Sequence, residues 1–204
     1  VSEMMASDPS LRNSRKSKER MIDRDEAGPR WVQIAGADPA QMASAAKHCF
    51  DRGADIIDIN MGCPAKKVCN RAAGSALLRD ELLVRNILSR VTEAVPVPVT
   101  LKIRLGWSKD EINATEIGLI AKDAGVVSLT VHGRTRACRF AGDVDYEAIA
   151  SIKGNVDLPI VANGDISSPQ KAKKVIEIME HAVSLEVPNK VDYESGKTWG
   201  DIYG

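Results

Sequence analysis

Short apolar runs alternate along the chain with longer segments in which apolar side chains recur every three or four positions. The short runs predict strands, and most are apolar nearly throughout, as in parallel strands that are covered on both faces. They occupy residues 32–35, 56–60, 97–103, 126–131 and 158–162. The longer segments predict helices, so the whole pattern predicts a βα repeat.

Residues that favour helix starts stand ahead of four of the longer segments. Asp38 and Ser168 each precede a proline, which gives an N-cap followed by proline at the first helical position. Asp80 is expected to cap a third helix, and Asn113 with Glu116 three positions later resembles a capping box. We therefore expect helices to connect the successive strands.

Polar or glycine-containing clusters follow every predicted strand. Ligands bind at the carboxyl ends of parallel strands, and five such ends favour a barrel, because a doubly wound sheet would need only one or two. Gly36 and Gly164 mark strand ends four units apart, and at that spacing eight units would need roughly 256 residues. The chain of 204 residues has room for about six units. The predicted fold is therefore α/β, an incomplete (β/α)8 TIM barrel, with further strand candidates at residues 1–5 and 182–187.

Composition and charge narrow the classes of protein. The chain has 28 Lys and Arg against 28 Asp and Glu, so a strongly basic nucleic-acid wrapper is disfavoured whereas a local basic patch is not. No apolar run approaches the roughly 20 residues of a membrane span, and residues 1–30 are too polar for a signal peptide. We expect a cytoplasmic protein without membrane contact. The 4 cysteines lack C-x-x-C spacing, which predicts reduced thiols and no metal site.

Cys63 is the cysteine whose position suggests chemistry. It lies on a Gly/Pro turn directly after a predicted strand, which exposes the thiol, whereas Cys49 lies on the apolar face of a helix and is expected to pack in the core. Position alone leaves Cys63 open between a functional and an unreactive thiol. Cys69 and Cys138 are expected in loops, where a small residue is simply tolerated.

Lys102 and His132 lie on otherwise apolar strands. A buried lysine is costly without an anionic partner, so Lys102 either points to solvent or meets a ligand with delocalised negative charge, such as a reduced flavin. His132 is either a satisfied core histidine or a ligand contact. The Asn-Gly-Asp segment at 163–165 precedes the helix start at Ser168 and offers N–H groups to an anion or phosphate, although Asn-Gly also occurs in plain turns.

Six segments, in order, resemble the bacterial tRNA-dihydrouridine synthases, and the second is most similar to the B-type branch. The segments are VQIAG (32–36), INMGCPAKKV (59–68), AGSALL (73–78), LKIRLGW (101–107), VHGRTR (131–136) and IVANGD (160–165). The resemblance implies an FMN-dependent (β/α)8 barrel with a C-terminal helical tRNA-binding domain. It implies an enzyme that reduces its flavin with NADPH and then reduces the C5–C6 double bond of particular uridines in tRNA.

The resemblance also implies roles for the site residues. Cys63 would be the general acid that protonates uracil C5, which requires a thiol that keeps its proton until the transfer. The flavin would be bound at the strand ends by Gln33, Lys102, His132, Asn163, Gly164 and Asp165. The RNA, with its target base turned out of the stack, would be bound by Asn60, Arg104, Arg134 and Arg136.

The resemblance covers residues 1–176, which we expect to form a partial FMN-binding barrel. Residues 177–204 look unrelated to the family, and its helical domain is not expected in this chain. A chain that folds in this form is expected to be a monomer. Two alternatives remain open, a catalytically inactive remnant and a related FMN barrel that acts on a free pyrimidine. Basic side chains around the mouth would favour the polyanionic substrate, namely Lys66, Lys67, Arg134 and Arg136.

Overall fold

A computed structural model describes residues 2, 4–11, 28–69 and 72–182. The strands in these residues are β1 (Met5–Ala6), β2 (Trp31–Ala35), β3 (Ile56–Met61), β4 (Val99–Arg104), β5 (Gly106–Ser108), β6 (Glu111–Ile112), β7 (Ser128–His132) and β8 (Ile160–Asn163). β5 and β6 form a small antiparallel hairpin, and the other six form one parallel sheet in chain order. A doubly wound sheet reverses its strand order partway, so the uniform order is that of a barrel wall. The predicted fold class is confirmed.

All five predicted strands are present, and β1 is a sixth at the position expected for an earlier strand, where Met5 pairs with Ile34. The third, fourth and fifth predicted strands each begin two residues later than expected. Val126 instead closes the preceding helix, because its N–H donates to the carbonyl of Ala121. The strand candidate at 182–187 lies, from residue 183 onward, outside the described residues.

Six α-helices are described. They are α1 (Pro39–Asp51), α2 (Lys66–Cys69), α3 (Glu81–Ala94), α4 (Ala114–Asp123), α5 (Tyr146–Asn155) and α6 (Pro169–Glu180). The side chains of Asp38, Asp80 and Ser168 each accept the N–H three residues on, which confirms the predicted N-caps. The capping box predicted at Asn113 is wrong, although α4 begins there, because the Asn113 amide donates to the carbonyl of Leu78 at 2.7 Å and forms no cap bond.

The two faces of the sheet differ in chemistry. The face that meets the helices is aliphatic and fully buried, with Ile57, Ile59, Leu101 and Leu129 at 0 % exposure. Side chains alternate along a strand, so the residues between these positions point to the opposite face, the one that lines a barrel interior. We call it the interior face.

Polar residues stand in register on the interior face. The strand partners are Gln33 with Asp58, Asp58 with Thr100, Asn60 with Lys102, Arg104 with His132 and His132 with Asn163. Both faces are therefore largely covered, as expected for parallel strands, but the apolar residues lie mainly on the helix side, whereas Asp58, Thr100 and Arg104 are buried on the interior face. The interior face gathers most of the strand-end residues that the sequence singled out.

The described residues also include two short 3₁₀ helices and a C-terminal helix that passes the expected domain boundary. Residues Pro9–Leu11 and Gly74–Arg79 are short 3₁₀ helices. Helix α6 runs through the expected boundary at 176, and residues 183–204 lie outside the described chain. No helix in the described ranges is long and apolar enough to cross a membrane.

Candidate functional site

The turn after β3 presents Cys63, partly exposed, at the carboxyl end of the sheet. The side chain of Asn60 folds back onto this turn, and its Oδ1 accepts the N–H groups of Gly62 at 3.1 Å and of Cys63 at 2.9 Å. Arg104 Nε donates to the carbonyl of Gly62 at 3.0 Å. The peptide groups before Cys63 therefore have fixed partners.

The carbonyl of Cys63 is held from the 3₁₀ helix Gly74–Arg79. Ser75 is fully buried and donates to that oxygen both its N–H, at 3.2 Å, and its hydroxyl, at 2.9 Å. The thiol of Cys69 lies 3.6 Å from the same oxygen. Gly74 has φ +62°, and a Cβ there would come within 2.8 Å of the Cys63 oxygen, so the close approach requires glycine.

A row of hydrogen-bonded side chains leads from the interior face to the Cys63 turn. Trp31 Nε1 donates to Thr100 Oγ1 at 3.2 Å, and Thr100 Oγ1 donates to Asp58 Oδ1 at 2.6 Å. Gln33 Nε2 donates to Asp58 Oδ2 at 2.6 Å. Asn60 Nδ2 donates to Gln33 Oε1 at 2.8 Å, which joins the row to the turn. We call these five residues the polar row.

Burial dominates the electrostatics of Asp58 and Lys102. Asp58 is 3 % exposed, and burial raises the pKa of its carboxyl against the hydrogen bonds from Thr100 and Gln33. Burial lowers the pKa of Lys102, which the Asp58 carboxylate opposes. Lys102 does not point to open solvent, because its Nζ donates to Asn163 Oδ1 at 2.9 Å.

His132 is held neutral at the mouth. Burial, together with the charges of Arg104, Lys102 and Arg134, lowers the pKa of His132 to about 4. Its Nδ1 is buried without a hydrogen-bond partner among the described residues. The sequence left open whether this histidine is a satisfied core residue, and the bare Nδ1 does not fit that alternative.

The loop after β8 is held by an ion pair. Both terminal nitrogens of Arg134 donate to the two carboxylate oxygens of Asp165, and Arg134 Nε donates to the carbonyl of Gly142 at 3.1 Å. This bonding lowers the pKa of Asp165 and raises that of Arg134. Gly164 has φ +119°, which strains any residue with a side chain, and a Cβ there would lie 3.0 Å from Val144 Cγ2 and 3.2 Å from the ring of His132.

The other two predicted substrate arginines differ in exposure and contacts. Arg104 is 3 % exposed, and its Nη1 donates to the carbonyls of Thr135 at 3.1 Å and Arg139 at 2.8 Å. Arg136 is half-buried and lies over the ring of Trp107, 4.3 Å from the centroid.

Most predicted site residues thus meet at one end of the sheet, around Cys63, Lys102 and His132. The side chains of Lys66 and Lys67 lie outside what the structure describes. Sequence reasoning missed Asp58 and Ser75. Asp58 was detectable, because a carboxylate within an apolar run has the same burial cost that singled out Lys102. Ser75 gave no comparable signal, since a lone serine beside a glycine is ordinary.

The described part of the chain contains no group of three or more His, Cys, Asp or Glu that could hold a metal ion. All 4 cysteines are free. The chemistry available at this end of the sheet therefore includes the partly exposed thiol of Cys63, the lysine Lys102, the neutral imidazole of His132 and a loop that offers backbone N–H groups.

Residues 1–183 match the family model for dihydrouridine synthase. Over 177 residues the chain is 60 % identical to tRNA-dihydrouridine synthase B of Pseudomonas aeruginosa, which covers 87 % of this chain and 53 % of that protein. The Escherichia coli protein of the same name is 54 % identical over 177 residues, covering 87 % of this chain and 55 % of that protein. The chain spans about half the length of these relatives.

A solved structure shares the fold at low identity. A dipeptide epimerase from Cytophaga hutchinsonii superposes with a TM-score of 0.54 at 16 % identity, over 76 % of this chain and 36 % of the epimerase. At that identity the likeness concerns the fold alone.

Proposed function

Since the chain belongs to the dihydrouridine synthase family, we propose that it carries the catalytic site for flavin-dependent reduction of uridines in tRNA to 5,6-dihydrouridine, with NADPH as the reductant. The observation that carries this proposal is Cys63, a partly exposed thiol at the end of the sheet that also carries Lys102 and His132. The N–H and carbonyl groups of Gly62 and Cys63 on its turn are all hydrogen-bonded. A general acid must be held in place in this way.

The residues present fit a flavin mononucleotide. The bare Nδ1 of His132 and the partly buried ammonium of Lys102 both suit a polar ligand at the mouth, and Gly164 adds no side chain there. We assign the ring to Gln33, Lys102 and His132, and the phosphate to the loop 163–165. Because the Asp165 carboxylate is bonded to Arg134, Asp165 contributes its backbone to this loop rather than its charge. When bound, the reduced flavin supplies the hydride.

On the substrate side, Cys63 holds a proton at Sγ and gives it to C5 of the uracil. Asn60 has one amide hydrogen left after its bond to Gln33, and we assign that hydrogen to the base. Arg104 acts by holding the turn, because its guanidinium is buried against backbone carbonyls. Arg136, stacked on Trp107 and half-buried, is the arginine we assign to the RNA backbone.

We propose that the chain is a cytoplasmic monomer, as the sequence predicted. The edge strands of the described sheet, β1 and β8, are 2 and 4 residues long. Edges this short offer little backbone for pairing with a second copy. tRNA is the expected partner.

Flavin binding tests the site without requiring turnover. Titration of the purified protein with FMN should quench flavin fluorescence, and Lys102→Met should weaken binding about tenfold through the loss of one charged contact. Lys109→Met is the matched control, because Lys109 is an exposed lysine of the β5–β6 hairpin. Equal affinity in the wild type and Lys102→Met would contradict the assignment of Lys102.

The substrate is tested separately. NADPH oxidation should depend on unmodified tRNA and yield dihydrouridine in its hydrolysate, and added salt should weaken the tRNA complex. Turnover of free uracil with no response to tRNA would support the free-pyrimidine alternative instead. A protein that binds neither FMN nor tRNA would be the inactive remnant.

A further inference from the structure

We propose that Asp58 is a positioning residue for Cys63. Its buried carboxylate sets the orientation of the side-chain amides of Gln33 and Asn60, and through them the hydrogen bonds that hold the Cys63 turn. The importance of that turn rests on the proposed function, but the geometry of the polar row stands by itself.

The carboxylate of Asp58 determines which atoms donate and which accept hydrogen bonds along the polar row. An ionised carboxylate only accepts hydrogen bonds, so both partners of Asp58 must donate. Thr100 Oγ1 already accepts the indole N–H of Trp31 and can therefore give its own hydrogen to Asp58 Oδ1. Gln33 must present Nε2, because its Oε1 would face a second acceptor at Asp58 Oδ2.

Each further amide follows from the one before. Because Gln33 Nε2 is bonded to Asp58, its Oε1 faces Asn60. Asn60 must therefore donate a hydrogen bond to it from Nδ2. Asn60 then has Oδ1 on its other side, where the N–H groups of Gly62 and Cys63 need an acceptor. If the two amides were reversed, Asn60 Nδ2 would face two N–H donors, and the turn would lose its anchor.

Asp58→Asn replaces a side chain that only accepts hydrogen bonds with one that also donates, so the donor and acceptor order along the polar row is no longer fixed. The new amide at position 58 has one acceptor, so it satisfies either Thr100 or Gln33 but not both. If its oxygen accepts the Thr100 hydroxyl hydrogen, its NH2 group faces Gln33. The side-chain amides of Gln33 and Asn60 must then exchange the positions of their oxygen and nitrogen atoms. If it serves Gln33, the Thr100 hydrogen is left buried without an acceptor.

The test reads the turn directly, without flavin or tRNA. Each cysteine is alkylated with iodoacetamide under native conditions, and the rate is obtained peptide by peptide by mass spectrometry. Asp58→Asn should raise the rate at Cys63 about fivefold relative to Cys138, the factor set by one net hydrogen bond. Cys49, 3 % exposed in the core, reports global unfolding. Asp55→Asn is the matched control, because Asp55 bonds Arg30 outside the polar row, and it should leave the Cys63 rate unchanged.

A second variant separates orientation from mere packing. In Asp58→Asn/Asn60→Asp the carboxylate moves to the turn end of the row, where it accepts both N–H groups and the reversed amide of Gln33. The double variant should return the Cys63 rate to within about twofold of the wild type. If Asp58→Asn unfolds, Gln33→Met, which interrupts the row without moving a charge, should raise the Cys63 rate instead.

An unchanged Cys63 rate in Asp58→Asn, or in Gln33→Met where the first variant unfolds, would overturn the proposal. So would a double variant as reactive as Asp58→Asn. These outcomes are independent of the proposed function, which fails instead if Cys63→Ala forms dihydrouridine at the wild-type rate.

Discussion

Ionisable side chains that are buried or partly buried lie on the interior face of β3, β4 and β7. Asp58 is satisfied by two neutral donors, Lys102 by the amide oxygen of Asn163, and His132 is uncharged with a bare Nδ1. Burial opposes the charged form of each group. Hydrogen bonds from or to neighbouring strands stabilise the Asp58 and Lys102 side chains, whereas the His132 imidazole is neutral.

The neutral state of His132 makes stability depend on pH. Its folded pKa, about 4, is below the ordinary value of 6.5, so the unfolded state binds more protons between these values. The contribution is therefore full above pH 6.5 and is lost as the pH falls toward 4. His132→Gln should remove about 1 kcal/mol of the stability difference between pH 7 and pH 5, after allowance for partial exposure.

Urea unfolding at the two pH values measures this difference. The same pH dependence in His132→Gln and the wild type would show that His132 is not held neutral.

At the scale of elements, the important contact joins the Cys63 turn to the 3₁₀ helix that begins at Gly74. Gly74 and Gly142 both have positive φ, at +62° and +74°. A Cβ at Gly142 meets nothing within 4 Å, whereas one at Gly74 meets the Cys63 carbonyl at 2.8 Å. An alanine at Gly142 would therefore cost backbone strain alone, whereas an alanine at Gly74 would cost the same strain and a clash with the Cys63 carbonyl.

Gly142→Ala should cost about 1 kcal/mol of unfolding free energy, which is the strain of a left-handed residue with a side chain. Gly74→Ala should cost at least about 2 kcal/mol more, because the carbonyl must also move. Chemical denaturation of both variants measures the difference. Equal costs would mean that the 3₁₀ helix does not press against the turn.

The elements differ in how far sequence could predict them. Strands and N-caps follow from local patterns, so β2, β3 and the caps at Asp38 and Asp80 were predictable. The failure at Asn113 has a tertiary cause, because its amide is drawn to the carbonyl of Leu78, 35 residues away. The polar row was out of reach for the same reason, since its bonds join residues of three strands.

In the candidate site too, residues with a local sequence signal could be predicted and tertiary contacts could not. Cys63, Lys102 and His132 could be identified from their position at strand ends. That Arg104 holds the turn and that Asp165 pairs with Arg134 could not be predicted, because both depend on where loops distant in sequence meet.

At the scale of the molecule, a six-stranded wall carries the site, and the chain spans about half the length of its relatives. The short edges of the described sheet predict a monomer of 22.1 kDa. Size-exclusion chromatography with light scattering tests this. A dimer that persists on dilution would mean that an edge strand or the open interior face pairs with a second copy.

The central claim is that Cys63 is the proton donor in reduction of tRNA uridines. It is tested most directly by the rate of dihydrouridine formation in unmodified tRNA, measured by mass spectrometry with FMN and NADPH present, for the wild type, Cys63→Ala and the control Cys138→Ala. We expect the wild type and Cys138→Ala to form dihydrouridine and Cys63→Ala to be slower by about a hundredfold or more, the usual contribution of a general acid. No product from the wild type, or equal rates in the wild type and Cys63→Ala, would contradict the claim.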